Sequence, residues 1–287
     1  GVQALVRLPL MQRLRDQAAG LNTAGFISGY RGSPLGGFDL ELWRARKHLE
    51  SAKVKFTPGL NEDLGATMVW GCQQPGLFPG AKHDGVFGMW YGKGPGVDRC
   101  GDVFKHANAA GTSKHGGVLA LAADDHACRS STLPHGSEDE FVSAMMPILN
   151  PAGVQDILDM GVLGFAMSRY TGRWVGFKTI AETVESSASV QVDPFALQIV
   201  LPGDDDFAMP AGGLNIRWPD PPMEQEMRLH RYAVKAAQAF ARANRIDTLV
   251  LDAPHARLGI VTTGKSYLDV LQALEYLGLD EAACAEI

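Results

Sequence analysis

The sequence predicts an α/β protein, a three-layer αβα arrangement around a mostly parallel sheet. Three observations lead there. Short apolar runs alternate with stretches of helical periodicity, giving five strand–helix pairs. The run Gly117–Ala123 is apolar throughout, as a strand covered on both faces of a parallel sheet should be. Turn-rich segments, Arg31–Gly37 and Gly92–Arg99, come after the first two long strands. Ligands of such folds sit in the crevice beyond the carboxyl ends of the strands.

Composition narrows the class. With 287 residues, 46% hydrophobic and 20% charged, the chain is an ordinary soluble globular one, large enough for one big domain or one domain plus part of another. A net charge of -6 argues against nucleic acid as a partner. No apolar run reaches the length of a membrane span. The chain opens on Gly1 with no basic-then-apolar leader and stops after Ala285-Glu286-Ile287 without a terminating feature, so a piece of a longer protein is expected. Cys72, Cys100, Cys128 and Cys284 lie far apart with no C-x-x-C, which supports neither zinc nor an iron–sulfur cluster on this stretch. Free thiols in a reducing cytoplasm are the expectation.

Taken in order, Val2–Ala18 has helical spacing and ends at Gly20-Leu21-Asn22. Ala24–Tyr30 reads as a buried strand feeding the loop Arg31–Gly37, where Arg31 and Ser33 have ordinary turn chemistry as the plain alternative to a role. Asp39–Ser51 returns to helical spacing. Pro58-Gly59 then breaks a short extended run, and Asn61 is placed to cap a helix whose first turn carries Glu62 and Asp63. On this window alone Glu62 is one more solvated acid. The rest of the helix, however, is rich in small and apolar residues: Leu64, Gly65, Ala66, Met68, Val69, Trp70. A carboxylate buried on several sides needs a partner, or it becomes a proton donor to a ligand.

Asp84–Tyr91 is the next strand, and Gly92–Arg99 reads as a glycine-rich loop. Its G-x-G-x-G is a weak dinucleotide fingerprint, because Pro95 and the Asp98-Arg99 pair break the usual spacing. Glycines there still let a backbone approach a ligand closely. Phe104–Gly111 is helical, and the strand Gly117–Ala123 runs into the loop Asp124–Thr132. Asp124, Asp125, His126 and Cys128 could in principle hold a metal, but neighbours on one loop rarely converge on one ion, so a cleft-lining loop is the better reading. His135–Met146 is helical, Pro147–Pro151 extended, Val154–Ser168 helical and Arg173–Thr179 a strand.

Composition shifts at Asp204-Asp205-Asp206 and at Pro219–Pro222, so Gly203–Asp220 reads as connector rather than core. Met223–Asn244 is a long helix, Thr248–Asp252 a strand, and Tyr267–Leu277 a helix. Gly259–Ser266 matches G-x-x-x-x-G-K-[ST] letter for letter. In a true phosphate loop the strand precedes the first glycine; here Ile260–Thr263 reads as the strand itself. A nucleotide triphosphatase is therefore a low-weight alternative.

Gly29-Tyr30-Arg31-Gly32-Ser33-Pro34-Leu35-Gly36-Gly37, Asn61-Glu62-Asp63, Gly88–Arg99 and Ala123-Asp124-Asp125-His126, in that order, resemble the amino-terminal part of the long bacterial indolepyruvate ferredoxin oxidoreductases. That family belongs to the thiamine-diphosphate-dependent 2-oxoacid:ferredoxin oxidoreductases, and the resemblance covers nearly the whole chain. It implies a pyrimidine-binding domain at 1–202, a connector with a long helix at 203–257, and the start of a transketolase-C-terminal-like domain at 258–287. The family's diphosphate-binding G-D-G motif and its cluster cysteines are absent here. The resemblance thus implies half an active site, inactive alone, completed by a diphosphate-binding domain outside this chain.

The same resemblance implies the chemistry: oxidative decarboxylation of an arylpyruvate such as indolepyruvate to an acyl-coenzyme A, with electrons leaving singly through a 4Fe-4S cluster to ferredoxin. Glu62 stands where the family's activating carboxylate hydrogen-bonds the cofactor's pyrimidine ring. Gly29, Ser33 and Gly94 fall with it on the cofactor side. Arg31, Ser33 and Arg99 are placed to bind substrate, the arginines through a bidentate grip on its carboxylate. No metal ligand is assigned, and magnesium and the cluster are expected to be held elsewhere. A homodimer is implied. A regulatory or assembly subunit that keeps the fold without turnover is the alternative from another class.

Overall fold

The computed structural model describes residues 1–129 and 131–285; Ser130, from the loop after the fourth strand, and Glu286 and Ile287, from the 258–287 segment, lie outside the described residues. Its sheet has strands β1 (Ala24–Gly29), β2 (Val54–Phe56), β3 (Val86–Lys93), β4 (Val118–Asp124), β5 (Ile148–Leu149) and β6 (Trp174–Ile180). They lie in the order β2-β1-β3-β4-β6-β5. Every pairing among them is parallel. The three-layer αβα expectation holds.

Helices cover both faces: α1 (Val2–Ala18), α2 (Phe38–Arg44), α3 (Arg46–Ser51), α4 (Glu62–Gly71), α5 (Gly94–Arg99), α6 (Gly101–Ala110), α7 (Glu138–Ser143), α8 (Val154–Thr171) and the short α9 (Ala181–Val184). Successive residues of a strand point to opposite faces, and β3 uses this fully. Phe87, Met89 and Tyr91 join the core under α1, α2 and α8, with Leu5, Ile27, Phe38, Leu119 and Phe165. Trp90 joins the opposite core with Ala66, Val69, Phe104, Phe141 and Trp174, under α4 to α7. Phe104 meets the Trp90 ring edge-on at 4.9 Å. Asp16, buried on α1, is held by Arg169 of α8 at 2.6 and 2.8 Å and by the Thr23 hydroxyl at 2.6 Å, so the ion pair ties the two helices where charge would otherwise be costly.

Four local expectations change. Gly94–Arg99 is a helix rather than a loop, because Pro95 falls in its first turn, where a missing N–H costs nothing. The predicted helix from His135 begins only at Glu138, because the backbone N–H and hydroxyl of Ser137 bond the Asp124 carboxylate at 3.0 and 2.6 Å. The segment 203–220 is more than connector. Phe207 and Leu214 are buried with Leu229, Ala233, Ala236 and Ala239 in a third cluster against Met145 and Tyr170. Its helix is interrupted: α10 (Pro222–Arg228) and α11 (Val234–Ala243) flank a π-helical turn at Leu229–Ala233.

The fourth change concerns the predicted strands at Thr248–Asp252 and Ile260–Thr263, neither of which forms. A strand is held by a neighbour's amides, and these segments pair with no strand among the described residues. Leu249 is 75% exposed and Val261 wholly so. Lys265, at the start of α12 (Lys265–Tyr276), pairs with Asp269 at 2.5 Å. The strand–loop–helix of a phosphate loop is therefore missing. No helix among the described residues is long and apolar enough to cross a membrane.

Candidate active site

The strand order reverses at β1: its crossover through α2 and α3 leads outward to β2, while β3 lies on its other side. Such a reversal leaves a crevice at the carboxyl ends of the two strands, here Gly29 and Lys93. Two segments converge there. The loop 30–37 leaves β1 and passes over Lys93, whose side chain lies where a Cβ on Gly32 would fall. The first turn of α4 comes in from the other direction, packed on both strands.

Asn61 starts α4 as predicted: its backbone is extended and its side-chain oxygen accepts the Leu64 N–H at 2.8 Å. The two acids after it part company. Asp63 accepts Arg99 Nε at 2.8 Å across to α5, an exposed pair. Glu62 turns inward and is only 8% exposed. Trp90 donates its indole N–H to the Glu62 carbonyl oxygen at 3.1 Å, which fixes the backbone of that turn to β3. Among the described residues no donor hydrogen-bonds the Glu62 carboxylate. Its walls are glycines: a Cβ on Gly96 would stand 2.6 Å from Glu62 Cγ, and one on Gly92 3.5 Å from it. A buried acid left without a protein donor and flanked by backbone is suited to hydrogen-bond a bound ligand.

The other predicted residues are placed less centrally. Gly29 is buried, and its bare Cα is used by the protein: a Cβ would run into the Tyr91 backbone, Gly59 N–H bonds its carbonyl at 2.8 Å, and α4 packs onto it at Gly65. Gly94 is likewise buried, with the His135 ring directly over it. Arg31 is exposed and Ser33 half-buried on the 30–37 loop. Arg31 lies close enough to Tyr91 to act on its hydroxyl, whose pKa burial and then the Asp39 carboxylate push up. Arg99 stands beside Glu62 but spends its Nε on Asp63, which raises its own pKa.

The structure adds residues that had no individual role in the sequence motifs. Trp90 and Lys178 belong to the site's face of the sheet and Gly96 to α5 packed against that face, and period-two alternation along β3 and β6 could have placed Trp90 and Lys178 there. Asp124, buried at the end of β4, holds Ser137 and lies 3.5 Å from Lys178 Nζ, which also binds Glu138. His135 sits between Asp98, at 2.9 Å, and Asp124, at 3.7 Å. Asp125 accepts the N–H groups of Arg129 and Ser131 at 2.9 and 3.0 Å, so it shapes its own loop. Among the described residues no group of His, Cys, Asp or Glu is arranged to hold a metal ion. Burial raises the Cys72 thiol to about 12, against the opposing Gln73 amide.

Comparison with known proteins finds similar sequences and a similar fold. A family model described as "Indolepyruvate oxidoreductase domain" matches residues 248–287. The indolepyruvate oxidoreductase subunit IorA of Pyrococcus abyssi is 26% identical over 202 residues, which is 70% of this chain and 30% of that protein. In sequence the chain is similar to indolepyruvate oxidoreductases. A solved structure, the 2-oxoglutarate:ferredoxin oxidoreductase from Magnetococcus marinus with 2-oxoglutarate, coenzyme A and succinyl-CoA bound, has the same fold. It superimposes with a TM-score of 0.56 at 16% identity, over 94% of this chain and 51% of that one. The present chain thus spans under a third of that curated relative and about half of the solved one.

Proposed function

We propose that this chain supplies the activating-carboxylate half of a thiamine-diphosphate site, in an enzyme that oxidatively decarboxylates arylpyruvates such as indolepyruvate to acyl-coenzyme A and passes the electrons to ferredoxin. One observation carries the reading: Glu62 is 8% exposed at the crevice, with glycine backbone around its carboxylate and no protein donor bonded to it among the described residues. That is what an acid reserved for a ligand's ring nitrogen requires, so the residues present fit the cofactor. When bound, thiamine diphosphate supplies a thiazolium carbon that takes up the ketone of a 2-oxoacid and accepts the electron pair left as carbon dioxide departs.

Glu62 holds and shares a proton at its carboxylate. Trp90 keeps the turn bearing it from rotating away. The glycines at 92 and 96 wall its side chain with backbone alone. Arg31, Ser33 and Arg99 line the approach and are the candidates for the substrate's carboxylate, with Ser33, Gly29 and Gly94 toward the cofactor. The G-D-G diphosphate motif, magnesium and the 4Fe-4S cluster belong to a diphosphate-binding region outside this sequence, in a dimeric assembly. The free thiols among the described residues suit a reducing, cytoplasmic setting.

The test is Glu62→Gln in the full-length protein. Gln keeps the size and the packing, yet cannot share a proton with the ring. Fold and cofactor content should stay, while turnover and hydrogen–deuterium exchange at the thiazolium carbon fall by roughly 10²–10⁴-fold. Exchange at the parental rate would leave Glu62 a helix-start acid.

A further inference from the structure

We propose that His135 is a positioning residue for Glu62, acting through α5; the proposal rests on the reading of Glu62 given above. The helix has only six residues and would not persist by itself, so its place is set by what grips it. Its sequence, Gly94-Pro95-Gly96-Val97-Asp98-Arg99, is gripped on two opposite faces. Residues two apart on a helix point nearly opposite ways, whereas residues three or four apart share a face. Gly96 and Arg99 form the face toward α4: Gly96 touches the Glu62 side chain and Arg99 binds Asp63. Gly94 and Asp98 form the other face, and His135 meets both, its ring over the Gly94 backbone and its Nε2 2.9 Å from Asp98 Oδ2.

His135 is itself anchored to the sheet. Two residues on, Ser137 gives its N–H and hydroxyl to Asp124, which has no exposed surface. Lys178 stands 3.5 Å from the same carboxylate and also binds Glu138, the first residue of α7. The imidazole Nδ1 is buried with no hydrogen-bond partner, 3.7 Å from Asp124 Oδ1, so packing and the single Asp98 bond hold the ring. The contacts therefore run from β4 and β6 through Ser137 and His135 to one face of α5, and from its other face to Glu62. If the His135 face slackens, α5 tilts and the wall behind the Glu62 carboxylate moves. Displacements near 1 Å are enough to cost a reaction about 10²-fold.

The test uses the full-length protein with His135→Ala and His135→Gln, whose amide nitrogen stands near the place of imidazole Nε2. Steady-state kinetics with a 2-oxoacid are read beside amide hydrogen exchange of the segments 62–71, 94–99 and 118–124, measured without substrate. His135→Ala should lower kcat roughly 10- to 100-fold with KM unmoved, and speed exchange in both 94–99 and 62–71 but not in 118–124. His135→Gln should restore most of both. Faster exchange confined to 94–99, with parental kcat, overturns the proposal, and so does a rise in KM alone, which would make His135 a substrate contact. If Glu62→Gln keeps full turnover, the reading of Glu62 fails, while the exchange data still decide whether His135 reaches that turn.

Discussion

Gly96 has no side chain at the point where Glu62 lies: a Cβ there would stand 2.6 Å from Glu62 Cγ and 2.9 Å from Oε1. Contact with a side chain can be relieved by moving it, and Glu62 is the part that would move. Gly96→Ala removes a helix-interior glycine, a gain of about 1 kcal/mol in propensity, which offsets the local crowding. Thermal stability should therefore change little while kcat falls at least tenfold, about the effect of misplacing a catalytic group by a fraction of an ångström. A variant with parental kcat would show that the carboxylate has room to spare.

How much of this was legible in the sequence depended on where each residue's partner lay. The α4 cap, the bounds of α1 and the long strands came from local chemistry: Asn61 bonds Leu64 three residues on, and β4 is apolar because both its faces are covered. The inward turn of Glu62 was also readable, from the small apolar residues after it. The wall it faces was not, because Gly96 is 34 positions away and carries no side chain to announce a contact. Gly29 and Gly94 were legible as special, but not that their missing side chains accommodate Tyr91 and His135. The misread strands at 248–252 and 260–263 had apolar and β-branched residues suited to a strand but no neighbour to pair with among the described residues, which no local pattern reports.

Glu138 links stability to pH. Burial alone would push its carboxyl up, but the hydrogen bond from Lys178, its own backbone amide and the lysine's charge together hold it below the usual range. The unfolded chain then binds a proton more readily than the native one. The contribution is complete above the ordinary glutamate pKa, about 4.3, and is lost as pH falls through the lower native value. Glu138→Gln should lower Tm near pH 7 by a small amount, since the side chain is part-exposed, and the gap to the parent should close as pH falls through and below the native value. Parallel Tm-versus-pH curves for the two proteins would mean that Lys178 binds Glu138 without any net preference for its charged form.

Arg99 separates a structural role from a functional one. Its guanidinium is more than half exposed and gives Nε to Asp63 at 2.8 Å, and solvent-exposed pairs of this kind contribute little measurable stability. Arg99→Ala should therefore leave Tm and cofactor content where they were. If Arg99 also holds the 2-oxoacid carboxylate, KM should rise at least tenfold with kcat kept, because a contact made equally in ground and transition state affects only binding. Asp63→Asn is the control. It frees Arg99 from its partner without removing the cation, so it should leave KM level or lower it. A KM that stays put in Arg99→Ala assigns the arginine to bracing α5 against α4. A fall in kcat in both variants, with KM unmoved, would say that this brace helps to set Glu62.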